Sequence, residues 1–172
     1  MIRISVPEEL EKLKALRVGD EVLLSGVIYT ARDQAHQRLC DAVRGRKKLP
    51  FDLSAAVIYY CGPAGTPRGK VIGSCGPTTS RRMDAFTPLL LSQGVRAVIG
   101  KGGRSAEVAA ALKKFRAVYL LAPAGCGALC AQFVRSKKLR AFPDLGPEAV
   151  YELKVSDFPL VVGIDSKGAS LF

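Results

Sequence analysis

The amino-acid sequence predicts an α/β fold with a parallel central portion and extra antiparallel strands. Three observations point there. Strand-like apolar segments alternate with helical patterns through the middle of the chain, strand-like segments predominate at both ends, and glycine-rich turns follow several central strands. The 172 residues suit one domain, and a hydrophobic share of 48% is enough to bury a core. Residues 1–172 are therefore expected to form a single domain, with 1–18 as an N-terminal lead-in or helix.

Taken in order, residues 7–16 space Leu10, Leu13 and Leu16 at helical intervals behind a proline and two glutamates, which predicts a short amphipathic helix or lead-in. Residues 21–30 are rich in β-branched side chains and read as a strand pair or as one long strand bent at Gly26. Residues 31–39 start a helix with Arg32 at the strand exit and Asp33 as its cap. That places Arg32 and His36 one turn apart on the same face. Residues 55–60 are a buried-strand candidate that enters a loop dense in Gly and Pro, 61–67.

Residues 79–84 predict a short helix, and Thr87-Pro88 a fresh cap and first turn for 89–93. Residues 95–99 form the next strand; Gly100-Lys101-Gly102-Gly103 follows at its carboxyl end, before a helix over 105–114. Residues 117–121 are a strand, 122–127 a loop of small residues and 128–135 a helix. The last strands are 149–155 and 160–165, with Asp157-Phe158-Pro159 turning between them.

Composition narrows the function classes. No apolar run reaches the roughly 18 residues of a membrane-spanning helix, and Met1 to Pro7 lacks a signal-peptide core, so a soluble cytoplasmic protein is expected. The formal charge is +11, from 26 basic and 15 acidic residues, which suits nucleic acid, a membrane surface, an acidic protein or small anions. The basic residues fall in three short clusters, 44–48, 113–116 and 135–140, each near the end of a helical pattern, where cations complement the helix dipole. With no RNP-like aromatic run and no zinc-finger spacing, a basic nucleic-acid-binding domain is the alternative from a different class. Five cysteines, Cys40, Cys61, Cys75, Cys126 and Cys130, do not suggest a disulfide framework, and buried free thiols are expected. Cys75 stands apart, because a nearby helix start can lower a thiol pKa.

Chemistry concentrates at the strand exits. The run Gly73-Ser74-Cys75-Gly76-Pro77-Thr78-Thr79-Ser80-Arg81-Arg82-Met83-Asp84 turns on glycine and proline and presents threonines and arginines at a helix start. Backbone N–H groups there favour an anion, and an arginine adds a planar fork; the plainer alternative is an N-capped helix with two solvated arginines. A lysine flanked by glycines, as at Lys101, presents its ammonium to an anion or simply to solvent. His36, the only histidine, is a base, a relay member, an orienter or a structural residue. Arg32, Thr78, Arg82 and Lys101 all follow strands, where ligands of such sheets bind, and separated cations suit a dicarboxylate.

Gly19-Asp20, Leu24-Ser25-Gly26, Arg32-Asp33-Gln34-Ala35-His36, Gly76 to Met83, Gly100-Lys101-Gly102, Asp157-Phe158-Pro159 and Asp165-Ser166-Lys167-Gly168, in this order, resemble one family. It is the β subunit, or C-terminal domain, of the class I iron–sulfur fumarate hydratases and the related L(+)-tartrate dehydratases. The resemblance covers nearly the whole chain.

The resemblance implies a three-layer swivelling β/β/α domain with a mixed, partly parallel sheet. It implies a cytoplasmic β subunit of a hydro-lyase, active only beside an α subunit that ligates a [4Fe–4S] cluster, in an assembly of the α2β2 type. The implied reaction is reversible hydration of fumarate to (S)-malate, with L(+)-tartrate or another dicarboxylate as the alternative substrate. The cluster's open iron would act as Lewis acid on the leaving hydroxyl. In this sequence Arg32, Arg82 and Lys101 match the family's substrate-carboxylate ligands and Thr78 its catalytic base. Asp33, His36 and Thr79 match the motifs in supporting roles. No cofactor or metal ligand is implied within this chain. Two positions depart from the pattern: Arg81 and Cys126 stand where a small residue is expected.

Overall fold

A computed structural model describes residues 1–172. Seven strands share one mixed sheet: β1 (Ile2–Val6), β2 (Glu21–Thr30), β3 (Val57–Tyr59), β4 (Ala97–Gly100), β5 (Val118–Leu121), β6 (Val134–Ala141) and β7 (Val150–Ile164). Their order is β1-β2-β3-β4-β5-β7-β6, and β7 pairs with β2 as well. The first five strands run parallel to their neighbours, while β7 is antiparallel to β2, β5 and β6. The helices are α1 (Asp33–Arg44), α2 (Thr87–Ser92), α3 (Ala106–Phe115) and α4 (Gly127–Ala131), with 3-10 segments at Leu10–Ala15, Ser80–Met83 and Pro143–Glu148.

Alternation along the central strands divides the core in two. Val57 and Tyr59 of β3, Ala97 and Ile99 of β4, and Val118 and Leu120 of β5 join one buried cluster with Ile4, Leu24, Phe158 and Val162. The residues between them, Ile58, Val98 and Tyr119, face the opposite way into a second cluster with Ala35 and Leu39 of α1, Leu90 and Leu91 of α2, and Val108 and Leu112 of α3. A strand covered on both faces reads as a near-continuous apolar run, which is why 55–60, 117–121 and, apart from Arg96, 95–99 stand out in the sequence. Because β2, β3, β4 and β5 run parallel, their carboxyl ends lie at the same rim of the sheet.

Several elements differ from expectation. Of the two readings of residues 21–30, one long strand with an irregularity at Gly26 holds, and the strand pair does not: β2 has a bulge between Leu24 and Gly26. The amphipathic lead-in is only a 3-10 segment, and β1 precedes it. Asp157-Phe158-Pro159 does not reverse the chain. Asp157 adopts φ +50° and its N–H donates to Ser25 Oγ at 2.9 Å, so the kink is absorbed inside a continuous fifteen-residue β7. The helix expected over 128–135 stops at Ala131. Phe133 then packs near Phe158, with ring centroids 5.9 Å apart, and the basic run continues as strand β6 along β7. Its alternation was hidden because β6 pairs with a neighbour on one side only and carries charges where a central strand carries apolar side chains. No helix is long and apolar enough to cross a membrane.

Candidate active site

Backbone hydrogen bonds lace the carboxyl ends of β2, β3 and β4 together with the segment after Pro77. Ala31 N donates to Tyr59 O at 3.0 Å, Thr78 N to Tyr60 O at 2.7 Å and Tyr60 N to Ile99 O at 2.8 Å. Thr79 forms a parallel bridge with Lys101, and Ser80 N donates to Lys101 O at 3.3 Å. Residues 78–80 thus occupy a strand-like position beside the end of β4. The exits that carry Arg32, Thr78 and Lys101 lie within about two strand spacings, roughly 10 Å, of one another.

Arg32 holds the N-cap position of α1, and Asp33 is the first helical residue. Asp33 does not cap the helix. Its carboxylate instead takes a two-pronged grip from Arg82, with Nε at 3.0 Å and Nη2 at 2.8 Å. The pair uses two of the five guanidinium N–H donors of Arg82 and leaves three free. Arg32 Nε is buried without a hydrogen-bond partner, although Glu148 Oε1 lies 3.4 Å away and Asp33 Oδ2 4.0 Å away. Room for this side chain depends on Gly62, where a β-carbon would sit 2.9 Å from Arg32 Cδ.

His36 is 1% exposed. Its Nδ1 lies 2.8 Å from Arg32 O, and since a carbonyl can only accept, Nδ1 carries the proton. Nε2 is then a bare acceptor buried against Tyr60 and Phe86, and burial lowers the imidazole pKa to about 4. At neutral pH the ring is uncharged and fixes the backbone of Arg32.

Thr30, Thr66 and Thr87 spend their hydroxyls inside the chain, whereas Thr78 and Thr79 do not. Lys101 has no carboxylate partner, and neither does the exposed Arg81. The site therefore presents one guanidinium, Arg82, bonded to Asp33, a second, Arg32, lying between Glu148 and Asp33, one ammonium without a carboxylate partner and two free hydroxyls. Between Arg81 and Arg82, it is Arg82 that joins Asp33.

The whole chain, residues 1–172, matches the family described as Fumarase C-terminus. The chain belongs to that family. It is 43% identical over 166 residues to a β subunit of the L(+)-tartrate dehydratase type from Methanocaldococcus jannaschii, covering 93% of this chain and 85% of that protein. It is 36% identical to the L(+)-tartrate dehydratase subunit beta of Escherichia coli K12, over 98% of this chain and 85% of the relative. It is also 38% identical to fumarate hydratase 2 of Leishmania major, of which it spans only 29%. The similarity thus covers most of the two β subunits and under a third of fumarate hydratase 2.

The cysteines bear on whether this chain could itself ligate an iron–sulfur cluster. Cys40, Cys61, Cys75 and Cys130 are buried and Cys126 is exposed, and no three His, Cys, Asp or Glu side chains converge as a ligand set. An iron–sulfur cluster needs several thiolates converging on one point, so these residues do not fit one. The Cys75 thiol is held low, but by a hydrogen bond from Cys61, whose own pKa is raised well above the ordinary value. The helix-start effect is not the cause, since the 3-10 segment begins only at Ser80.

Sequence reasoning missed the polar layer beneath the site. Arg104 has a fully buried side chain: Nε donates to Asp84 at 2.6 Å, Nη2 to Thr87 Oγ1 at 2.7 Å and Nη1 to Tyr60 Oη at 3.3 Å. Burial disfavours the charge, but Tyr60 and Asp84 outweigh that and raise its pKa. Asp84 also accepts the Ser105 N–H at 2.7 Å, where α3 begins. Nothing in local spacing distinguishes Arg104 from a solvated loop arginine; its partners lie 17 to 44 residues away.

Proposed function

We propose that residues 1–172 form one domain, the β subunit of a hydro-lyase, and that it supplies the carboxylate ligands and a proton-transfer residue to a dicarboxylate site completed by an α subunit. The supporting observation is that Arg32, Thr78, Thr79 and Lys101 stand on neighbouring strand exits at one rim of the sheet, with Arg82 bonded to Asp33 beside Arg32. The assigned reaction is reversible hydration of fumarate to (S)-malate in the cytoplasm. The similarity to L(+)-tartrate dehydratase β subunits supports L(+)-tartrate as the second candidate substrate. We further assign the domain to the three-layer swivelling β/β/α type, supported by the two core clusters on opposite faces of the strands.

The chemistry follows from these side chains. Removing a proton next to a carboxylate places negative charge on that carboxylate, and preorganised cations lower the cost of that charge. Arg32 and Lys101 emerge from different strands, so they grip the two ends of a four-carbon diacid, while Arg82 adds its unused N–H donors from its seat on Asp33. The backbone bond from His36 and the carboxylates of Glu148 and, more distantly, Asp33 hold Arg32 in place. Thr78 receives the substrate proton only if its own hydroxyl proton passes to an acceptor. Its hydroxyl bonds to nothing in this chain, so that acceptor is assigned to the α subunit, as is the [4Fe–4S] cluster, in an α2β2 assembly.

The test is Thr78→Ala assembled with the α subunit under anaerobic conditions. Turnover of fumarate or L(+)-tartrate is expected to fall at least about a hundredfold with the dissociation constant for substrate little changed. Near-normal turnover removes Thr78 from the mechanism. A wild-type assembly inactive on every dicarboxylate tried removes the function itself.

A further inference from the structure

The loop bearing Lys101 is clamped from below by side chains that cannot touch a ligand. Ser80 is wholly buried, and its Oγ accepts the Lys101 N–H at 2.8 Å. Tyr119 Oη lies 3.0 Å from Ser80 Oγ and 2.8 Å from Gly102 O. A carbonyl only accepts, so the tyrosine proton goes to Gly102 and the serine proton goes to Tyr119. Each hydroxyl in this chain then has one donor and one acceptor role, and the order runs in one direction, from Lys101 N–H through Ser80 and Tyr119 to Gly102 O.

Arg104 closes the arrangement. Its guanidinium stacks over both Tyr119 and Tyr60, 5.0 and 5.2 Å from the ring centroids, while bonding Asp84 and Thr87. Asp84 and Thr87 follow Thr78 and Arg82 along the chain, so the network joins the loop 101–105 to the segment 78–87 as one unit. The approach is close enough that a β-carbon at Gly100 would fall 1.8 Å from Ser80 Oγ. A buried polar network with every member satisfied specifies one arrangement.

We propose that Ser80, backed by Tyr119 and Arg104, is a positioning residue that fixes the Lys101 ammonium relative to Thr78 and Arg82 for the bound dicarboxylate. The proposal rests on the function assigned above. A displacement of about 1 Å in a substrate-gripping group costs on the order of a hundredfold in rate.

The experiment uses the assembly with its α subunit, with fumarate and L(+)-tartrate as probes, and reads kcat/KM beside hydrogen exchange at the Lys101 amide. Ser80→Ala is expected to speed that exchange at least about tenfold and to lower kcat/KM by roughly 10- to 100-fold. Arg104→Gln lowers kcat/KM comparably, and Arg104→Lys, which keeps a charge for Asp84, recovers part of the loss. Glu107→Gln, on exposed α3 surface, leaves both readouts unchanged.

The deciding comparison is a double-mutant cycle. In a Lys101→Ala background, Ser80→Ala costs little more, because the group it positions is already gone. Equal losses with and without the Lys101 side chain, or unaltered kcat/KM in an active assembly, overturn the positioning role. A wild-type assembly that turns over neither acid overturns the assigned function instead; unchanged Lys101 exchange in Ser80→Ala then overturns the clamp, and faster exchange upholds it.

Discussion

His36 ties the site to stability through its protonation. Its pKa is lowered by burial to about 4, below the ordinary 6.5, so the folded state favours the neutral ring. The unfolded chain binds the extra proton first on acidification. Stability from this group is therefore complete above about pH 6.5 and is lost as pH falls toward 4, by about 1.4 kcal/mol per unit and about 3 kcal/mol in all. The measurement is denaturant unfolding of wild type and His36→Phe between pH 7 and pH 4.5. Wild type is expected to lose most of that increment over this range, while the variant, which still fills the space beside Tyr60 and Phe86, shows only the shallower slope of its carboxylates. Parallel slopes for the two proteins would contradict the protonation state assigned to Nδ1 and Nε2. The same residue shows how little a lone histidine reveals in sequence: helical spacing put it on the face of Arg32, but only the packing of Tyr60 and Phe86 excludes a charged ring.

At the scale of elements, β2 changes neighbours halfway. Its first half pairs with β1, from Val22 beside Ile2 to Gly26 beside Val6, and its last residues pair with β3. The exchange happens where Pro7 ends β1, and it depends on Gly26, whose φ is +108° and whose β-carbon would lie 1.8 Å from Val6 O. Gly26→Ala combines a backbone conformation that L-residues avoid with a clash against main chain that cannot swing away. Its expected cost is at least about 3 kcal/mol, read as a lower denaturant midpoint at unchanged slope. A loss under about 1 kcal/mol would mean that β1 detaches freely from β2. Gly26 was legible as a bend because glycine interrupts a β-branched run. The central strands were legible for the related reason that burial on both faces leaves a near-continuous apolar run. Arg32 and Lys101 were legible from their places at strand exits. The clamp of Ser80, Tyr119 and Arg104 was not, because its contacts join residues distant in sequence and none carries a local periodicity.

For the whole molecule, the excess of eleven positive charges is distributed by architecture. Two of the basic clusters lie at the carboxyl ends of α1 and α3, where they oppose the helix dipole. The third, Arg135 to Arg140, belongs to β6. That strand pairs only with β7, so its far side offers unpaired backbone groups to any passing strand. Lys138, Leu139 and Arg140 are all exposed there, and Leu139 alone would invite such pairing. Desolvating a lysine or arginine to admit another strand is costly, so the charges act as guards. Replacing Lys138 and Arg140 together by valine raises β-propensity and removes both guards while leaving the core untouched. The expected outcome is concentration-dependent self-association by light scattering, with a thermal midpoint close to wild type in dilute solution. Replacing Lys113 and Lys114 at the end of α3 removes the same two charges and is expected to leave the protein monodisperse. Equal self-association of the two double variants would assign the effect to net charge rather than to the edge of the sheet.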